Sequence, residues 1–593
     1  MSELLNKLNY LTETKEIFKT KLGITENIPL RDYAPLMKYD DGSAPKEWTE
    51  AEWLDVYNSY QRPADWLTIP TILESEEKVV GLYPVYDHDS NFVAVTISGN
   101  YSVDWGDGVT ENFVAGVKAE HKYDYSSCGN FSTLGYKQVL ITITPQATFN
   151  LTSVVLNVFH TSVPNKSNSF LDISGNVEFI SNFNVQSLNI LETFSLGLNN
   201  IVSFSQMFNG CTSLKTVPLI DTSSGTTFSN MFQNCKSLQT IPLINTSKCT
   251  NFSQMFLGCS TLKTIPFIDT SLGTNFYSMF ANCNLLKTIP LLNTSSGTNF
   301  SNMFIGCTAL QTVPLLDTNL GTDFSQMFYG CTALQTIPLL DTSKGTSFSQ
   351  MFNMCKSLQT IPLIDTSLGT NFYAMFNTCT ALQKIPLIDT SKCTNFAYMF
   401  NTCTTLQTIP LLDTSLGTEF TSMFYSCTAL QMVPLLDTSL GTEFSSMFHT
   451  CTSLQTIPLL NTSLGTNFAY MFNTCTTLQT IPLIDTSLGT SFYQMFYYCT
   501  TLKTIPLLNT SLVSNFLYLF DSCLFLGKAS FYGTKTTISY ASCNLSKSAL
   551  VDIFNNLATV TGQTITITGN FGASLLISED RLIATDKGWT IVG

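Results

Sequence analysis

The sequence predicts a repeat solenoid: 24-residue coils stacked with a parallel β wall and short helical turns, behind a small N-terminal helical segment and a β-sandwich-like domain. Three observations carry this reading. Cysteine recurs fourteen times, from Cys211 to Cys523, at an unbroken spacing of 24. The pair Met207-Phe208 returns with the same period to Met495-Phe496, and Pro218 to Pro506. The composition is the third: 593 residues with only 12% charged and 44% hydrophobic. That length exceeds what one globular core of about 250–300 residues supports. A repeat escapes the limit because its core grows along one axis.

Within a coil each segment has a local reason. A 24-residue unit falls in the range of leucine-rich repeats. Leu214-x-x-Val217-x-Leu219 reads as the strand, with Val217 and Leu219 on one face and Thr216 and Pro218 on the other. Proline has no N–H for a lateral bond, so the strand is expected to end near Pro218. The stretch from Thr227 to Phe232 reads as one helical or 3₁₀ turn that points Phe228, Met231 and Phe232 inward. Asp221 to Thr226 turns the chain, with Asp and Ser side chains bonding nearby backbone and Gly225 supplying a positive φ. A lone coil leaves both ends of its core in water, so the units must stack.

Phe208-x-x-Cys211-x-x-Leu214-x-x-Val217-x-Leu219 resembles the BspA-like leucine-rich repeat, with its F-x-x-C-x-x-L-x-x-I-x-L core. The Asp-Thr-Ser and Met-Phe elements are similar to related surface-protein repeats. The likeness covers residues 201–526. It implies adhesion and recognition, in bacterial surface proteins or phage structural proteins, and supplies no catalytic residues.

The flanks divide by pattern. Residues 1–45 form an N-terminal attachment or oligomerisation segment. There Leu4, Leu8, Leu11, Phe18 and Leu22 make one apolar helix face, which reads equally as docked on its own domain. Leu8 to Lys15 resembles the start of phage tail and fibre proteins. Residues 46–90 read as a connector holding Trp48, Trp53 and Trp66. Residues 91–147 alternate as strands, and Val103-Asp104-Trp105-Gly106-Asp107-Gly108 with His121 and Tyr123 resembles a PKD-type β-sandwich. Asp104 and Asp107 could hold calcium or simply build a tight turn. Residues 148–200 read as degenerate capping coils. Residues 527–593 form larger closing coils, with a helix after an N-cap at Ser546, a strand from Thr564, a short helix from Ser578 and a last strand from Trp589. Residues 568–591 resemble the terminal segment of phage and bacterial surface-repeat proteins.

Function classes narrow quickly. A net charge of −14 opposes nucleic-acid binding, which needs a positive surface. No apolar run reaches the roughly 18 residues of a membrane span. The first residues lack a secretory pattern, so synthesis in a reducing cytosol and residence in a virion are expected. Four histidines (His88, His121, His160, His449) offer little for a metal centre or a general base. His449 reads as a surface substitution. The cysteine column reads as buried thiols rather than a metal or disulfide ladder, with Cys249 and Cys393, which replace the turn glycine, exposed. No metal, cofactor or catalytic residue is expected.

Variation between coils is more telling. Tyrosine gathers beside the Met-Phe pair, chiefly at Tyr373, Tyr398, Tyr425, Tyr470, Tyr493, Tyr497 and Tyr498, with Tyr518 beyond. Tyrosine suits recognition surfaces, though it also covers gaps between coils. The resulting expectation is a tail fibre or adhesin. It would bind other virion proteins through its N-terminal region and a host surface glycan or protein through the tyrosine strip, with self-association possible. A passive spacer in a head or tail decoration, or a bacterial surface adhesin, stand as alternatives.

Overall fold

A computed structural model describes residues 60–88, 91–163, 169–197 and 199–593. The expected N-terminal helix, Trp48 and Trp53 lie outside these residues. The chain divides into two compact units, one ending at Leu320 and the other running from Gly321 to Gly593.

The first unit opens with two sheets. One has the order β12-β11-β9-β1-β7-β3-β4, with β6 on β7; the other is β10-β8-β2-β5. Their strands are β1 (Lys78–Val85), β2 (Phe92–Ser98), β3 (Tyr101–Asp104), β4 (Thr110–Phe113), β5 (Lys118–Lys122), β6 (Asn130–Phe131), β7 (Lys137–Pro145), β8 (Ser153–Val155), β9 (Asp172–Asn176), β10 (Asn182–Asn184), β11 (Thr193–Leu196) and β12 (Thr216–Ile220). Pairings among β1 to β7 are antiparallel. So are the joins β1/β9 and β2/β8. Beyond them β9, β11 and β12 run parallel, as do β8 and β10. Each sheet is therefore continued by successive turns of the coil, and the sandwich covers the open end of the stack.

Strand β1 falls in the segment read as a connector. It has neighbours on both sides and is buried on both faces, so its apolar run shows no alternation to read. Trp66, in the same segment, is core: it packs with Leu82, Tyr136 and Leu171, and its Nε1 donates to the Tyr136 hydroxyl at 2.9 Å. Asp104 accepts from Gly106 N–H at 3.0 Å. Asp107 accepts from Val109 N–H at 3.1 Å and lies 2.8 Å from His121 Nε2. Both carboxylates are thus used in building the turn.

The coils of both units share one plan, but the bonded wall is not the expected one. In the coil of Cys403, the N–H groups of Phe396, Tyr398, Phe400 and Thr402 donate to Glu419, Thr421, Met423 and Tyr425 of the next coil at 2.6–2.9 Å. The alternate N–H groups of Met399, Asn401 and Cys403 close turns onto Phe396, Tyr398 and Phe400 at 3.1–3.2 Å. Successive N–H groups alternate between lateral and turn bonds, which a 3₁₀ turn cannot do. The cost is a left-handed residue at two places, φ 59° at both Tyr398 and Thr402. The same two places are left-handed in nearly every coil.

Across the proline wall the lateral bonds nearly vanish. In the middle coils the short contact there is of the kind Gln383 N–H to Gln359 O, 3.1 Å. Named strands occur only in the outermost coils: β12, and β13 (Thr504–Asn509) with β14 (Lys528–Tyr532). These run through Pro218 and Pro506 instead of ending there, and each pairing slips in register at the proline. The slip reverses the expected orientation. The residue after proline faces out and the next faces in: Leu363 is 64% exposed and Ile364 is 2%. Alternation fails because a missing N–H lets the chain bulge.

Inside, Phe, Met, Phe, Cys and Leu recur as buried columns. The rings stack nearly parallel, as in Phe376–Phe400 and Phe400–Phe424, with centroids 5.7 Å apart. In the repeated column the thiol donates to the Phe carbonyl 27 residues back, as Cys403 does to Phe376 O at 3.1 Å, while Cys211 at its start reaches Val185 O at 3.1 Å. The Thr of Asp-Thr-Ser is buried, and Thr390 donates to Asp413 O of the next coil at 2.7 Å. Asp389 accepts from Ser391 N–H at 2.9 Å, as a turn requires.

The turn glycine has a different cause from the one expected. Gly417 does not have a positive φ; a Cβ there would sit 2.7 Å from Phe420 Cζ and 3.0 Å from the Phe396 ring. Cys249 and Cys393 occupy this place, so they are fully buried, not exposed. Phe204 stacks on Phe228 and Phe252 on Phe276, yet Phe228 and Phe252 do not stack; Phe372 and Phe396 part in the same way. The Cys249 thiol donates to Asn251 O and the Cys393 thiol to Asn395 O, both at 3.3 Å.

The second unit ends in β15 (Ile538–Ser539), α1 (Lys547–Asn556), β16 (Gln563–Thr566), α2 (Ser578–Thr585) and β17 (Trp589–Val592). Ser546 caps α1, its hydroxyl accepting from Ala549 N–H at 3.2 Å. Leu550, Ile553 and Phe554 of α1 are buried, and Tyr540 stacks on Phe520 at 5.1 Å.

The left-handed places give a first prediction. Thr378 is β-branched at φ 61°, where other coils carry Gly258, Gly306 and Gly330. The left-handed form costs about 1–2 kcal/mol for a residue with a Cβ, against about 0.5–1 kcal/mol of extra chain entropy for glycine. Thr378→Gly should therefore stabilise the chain by about 0.5–1 kcal/mol in denaturant titration.

Candidate functional site

The tyrosines sit on the laterally bonded wall, on either side of the buried Met-Phe pair. That wall turns its Phe and Met side chains into the core, so intervening residues must face out. Tyr373, Tyr398, Tyr425, Tyr470, Tyr493 and Tyr497 are half-buried, while Tyr498 and Tyr518 are exposed.

The structure joins some of these rings and not others. Tyr425 stacks on His449 at 4.5 Å, His449 tilts against Tyr470 at 6.0 Å, and Tyr470 meets Tyr493 edge-on at 5.0 Å. Tyr493 reaches Tyr518 at 6.4 Å. Tyr373 and Tyr398 form a separate pair at 5.7 Å, and Tyr497 and Tyr498 another at 5.7 Å. His449 is thus a half-buried residue of the outward face that links an aromatic run. Its place in the coil was the available signal, because it stands 24 residues after Tyr425 and 48 before Tyr497.

Tyr398, Tyr470, Tyr498 and Tyr518 are left-handed, with φ from 57° to 60°. Since the same places are left-handed in coils without tyrosine, the strain belongs to the architecture. Near the run, Glu419 and Glu443 bridge between adjacent coils. Burial, and then the Glu443 charge, raise the Glu419 carboxyl above the usual range.

Burial lowers the His449 imidazole below its ordinary value. A group depressed in the folded state binds its proton more readily when unfolded. Stability at this coil should then be complete above about pH 6.5 and fall as the pH drops below it. His449→Gln should remove that acid-side loss in melting curves taken from pH 7.5 to 5, with little change at pH 7.5.

The cysteines offer no reactive site. All eighteen are free and buried. Burial pushes the Cys427 thiol up to about 12 and the Cys403 thiol well above its ordinary value, so both remain protonated at neutral pH. Among the described residues no cluster of His, Cys, Asp and Glu could hold a metal ion. No helix among them is long and apolar enough to cross a membrane. The first unit holds a cavity of about 550 Å³ beside Tyr60, Trp66, Tyr86 and Tyr136, edged by the Lys215–Glu192 ion pair at 2.8 Å.

A family model described as "Mycoplasma protein of unknown function, DUF285" matches residues 167–289, 202–313, 250–363, 322–436 and 418–530, together more than half of the chain. No curated protein matches. Among solved structures, a leucine-rich repeat protein from Eubacterium ventriosum is similar at 15% identity, over 54% of this chain and 88% of that one, with a TM-score of 0.26. The functional domain of InlJ from Listeria monocytogenes, which includes a cysteine ladder, is similar at 16% identity over 64% and 70%, with a TM-score of 0.20. The TLR13–ssRNA13 complex is similar at 14% identity over 74% and 84%, with a TM-score of 0.19.

Proposed function

The chain belongs to the DUF285 repeat family, and from that premise we propose that it is an adhesin, a leucine-rich-repeat scaffold that recognises a surface glycan or protein through its tyrosine strip. The observation that carries this is the run Tyr425–His449–Tyr470–Tyr493–Tyr518, built at freely varying places on a framework that hardly changes. Offset and edge-on rings expose π faces and hydroxyls together, a surface suited to sugar rings or extended peptide.

The likeness of residues 8–15 to the start of phage tail and fibre proteins, and of residues 568–591 to the terminal segment of phage and bacterial surface-repeat proteins, supports a place on a virion, with the N-terminal region as attachment. The family match supports a bacterial cell surface as the second setting. The PKD-like sandwich fits a spacer in either.

Replacing Tyr425, Tyr470 and Tyr493 together by serine tests the reading. Binding of the labelled full chain to host cells and to a glycan array should weaken at least tenfold with the melting curve preserved, since buried aromatic anchors dominate such contacts. Unchanged binding overturns it. Immunogold labelling of virions and of cells separates the two settings.

A further inference from the structure

The proline wall carries a feature that the recognition reading does not use. From Leu363 to Leu507 every coil of the second unit places one leucine outward, with exposures from 64% to 52%. Leu435, Leu459, Leu483 and Leu507 line one groove of about 790 Å³. Seven aligned leucines on a soluble surface form a contiguous apolar strip, unlike scattered exposed side chains. The strip lies on the other wall of the coils that carry the tyrosines.

We propose that this leucine ladder is a self-association surface, and that its occupant is the ladder of a second copy of this chain. Spacing is the first argument. The ladder repeats once per coil. Covering it along its whole length needs a partner with apolar groups at that same spacing, which a second copy has. Area is the second. At on the order of 100 Å² of apolar surface per leucine, seven present roughly 700 Å², close to the ~800 Å² per partner of a stable interface.

Charge is the third argument. The ladder lies between a row of aspartates, such as Asp389, Asp413 and Asp437, and a row of glutamines, such as Gln383, Gln407 and Gln431. A two-fold axis along the stack places the aspartates of one copy opposite the glutamines of the other. No like charges then meet. The arrangement leaves the tyrosine wall of both copies free.

Light scattering on the full chain at micromolar concentration tests this. The expected result is a mass twice 65.5 kDa, falling to a single chain in Leu411→Asn/Leu435→Asn/Leu459→Asn with an unchanged melting curve. These side chains are exposed, so the core is untouched. Should the triple variant fail to fold, Leu435→Cys supplies a second readout. All eighteen native thiols are buried, so a nitroxide reagent labels the new cysteine alone, and two labels facing across the dimer give a short distance by electron–electron resonance. A monomeric wild type, a dimer that survives the triple variant, or labels too far apart for direct contact overturns the proposal. The tyrosine-to-serine chain should remain dimeric, so failure of the recognition reading leaves this result distinct.

Discussion

Phe400→Ala should destabilise the second unit by about 3–5 kcal/mol, the range for truncating a fully buried phenylalanine. Phe400 has zero exposure and stacks on Phe376 and Phe424, both 5.7 Å away. Alanine removes two ring contacts and leaves a void between coils that the lateral bonds hold at fixed spacing. The coils are held together by nearest-neighbour interfaces, so the damage should be local as well as large. Hydrogen exchange should quicken at Phe376, Phe400 and Phe424 before coils farther away respond. A loss below about 1 kcal/mol, or uniform quickening, would show that the ring column is not the core of the stack. Tyr425→Ser on the outer wall is the control and should cost within about 0.5 kcal/mol.

Removing residues 527–593 should have the second large effect. Those residues cover Phe516, Leu519, Phe520 and Leu526, all buried in the intact chain. They also receive lateral bonds from the last coil, such as Thr510 N–H to Tyr532 O at 2.8 Å. Without them the unit ends in unpaired backbone and several hundred Å² of apolar surface, which repeat proteins avoid with a polar cap. The truncated chain should elute as large aggregates in gel filtration, well beyond a dimer. A soluble product with the melting temperature of the full chain would mean that the closing coils and α1 do not seal the stack.

Much of this was legible from spacing alone. The 24-residue period, the inward Phe, Met, Cys and Leu columns, and the closing helices with their Ser546 cap follow from patterns that survive without neighbours. His449 was legible in principle, through its register with Tyr425 and Tyr497, but a single histidine at a place that varies freely gives no sign that rings will gather on it. Strand β1 was hidden because burial on both faces erases alternation. The tyrosine strip was visible as composition, while its division into one run and two pairs was not.

The sequence by itself determined that this chain is a stack of equal coils with an invariant core, because fourteen identical spacings admit no other way to bury the same residues. Only the tertiary structure decided which wall bonds laterally and which way the residue after each proline faces. Both depend on where N–H groups find acceptors in the next coil. Proline withholds one on the Leu-x-x-Ile-Pro-Leu wall, so that wall bulges and turns its leucines outward. Left-handed residues on the opposite wall free alternate N–H groups to bond across. The same packing explains the turn glycine, since what crowds a side chain there is the phenylalanine ring three residues on together with one from the neighbouring coil.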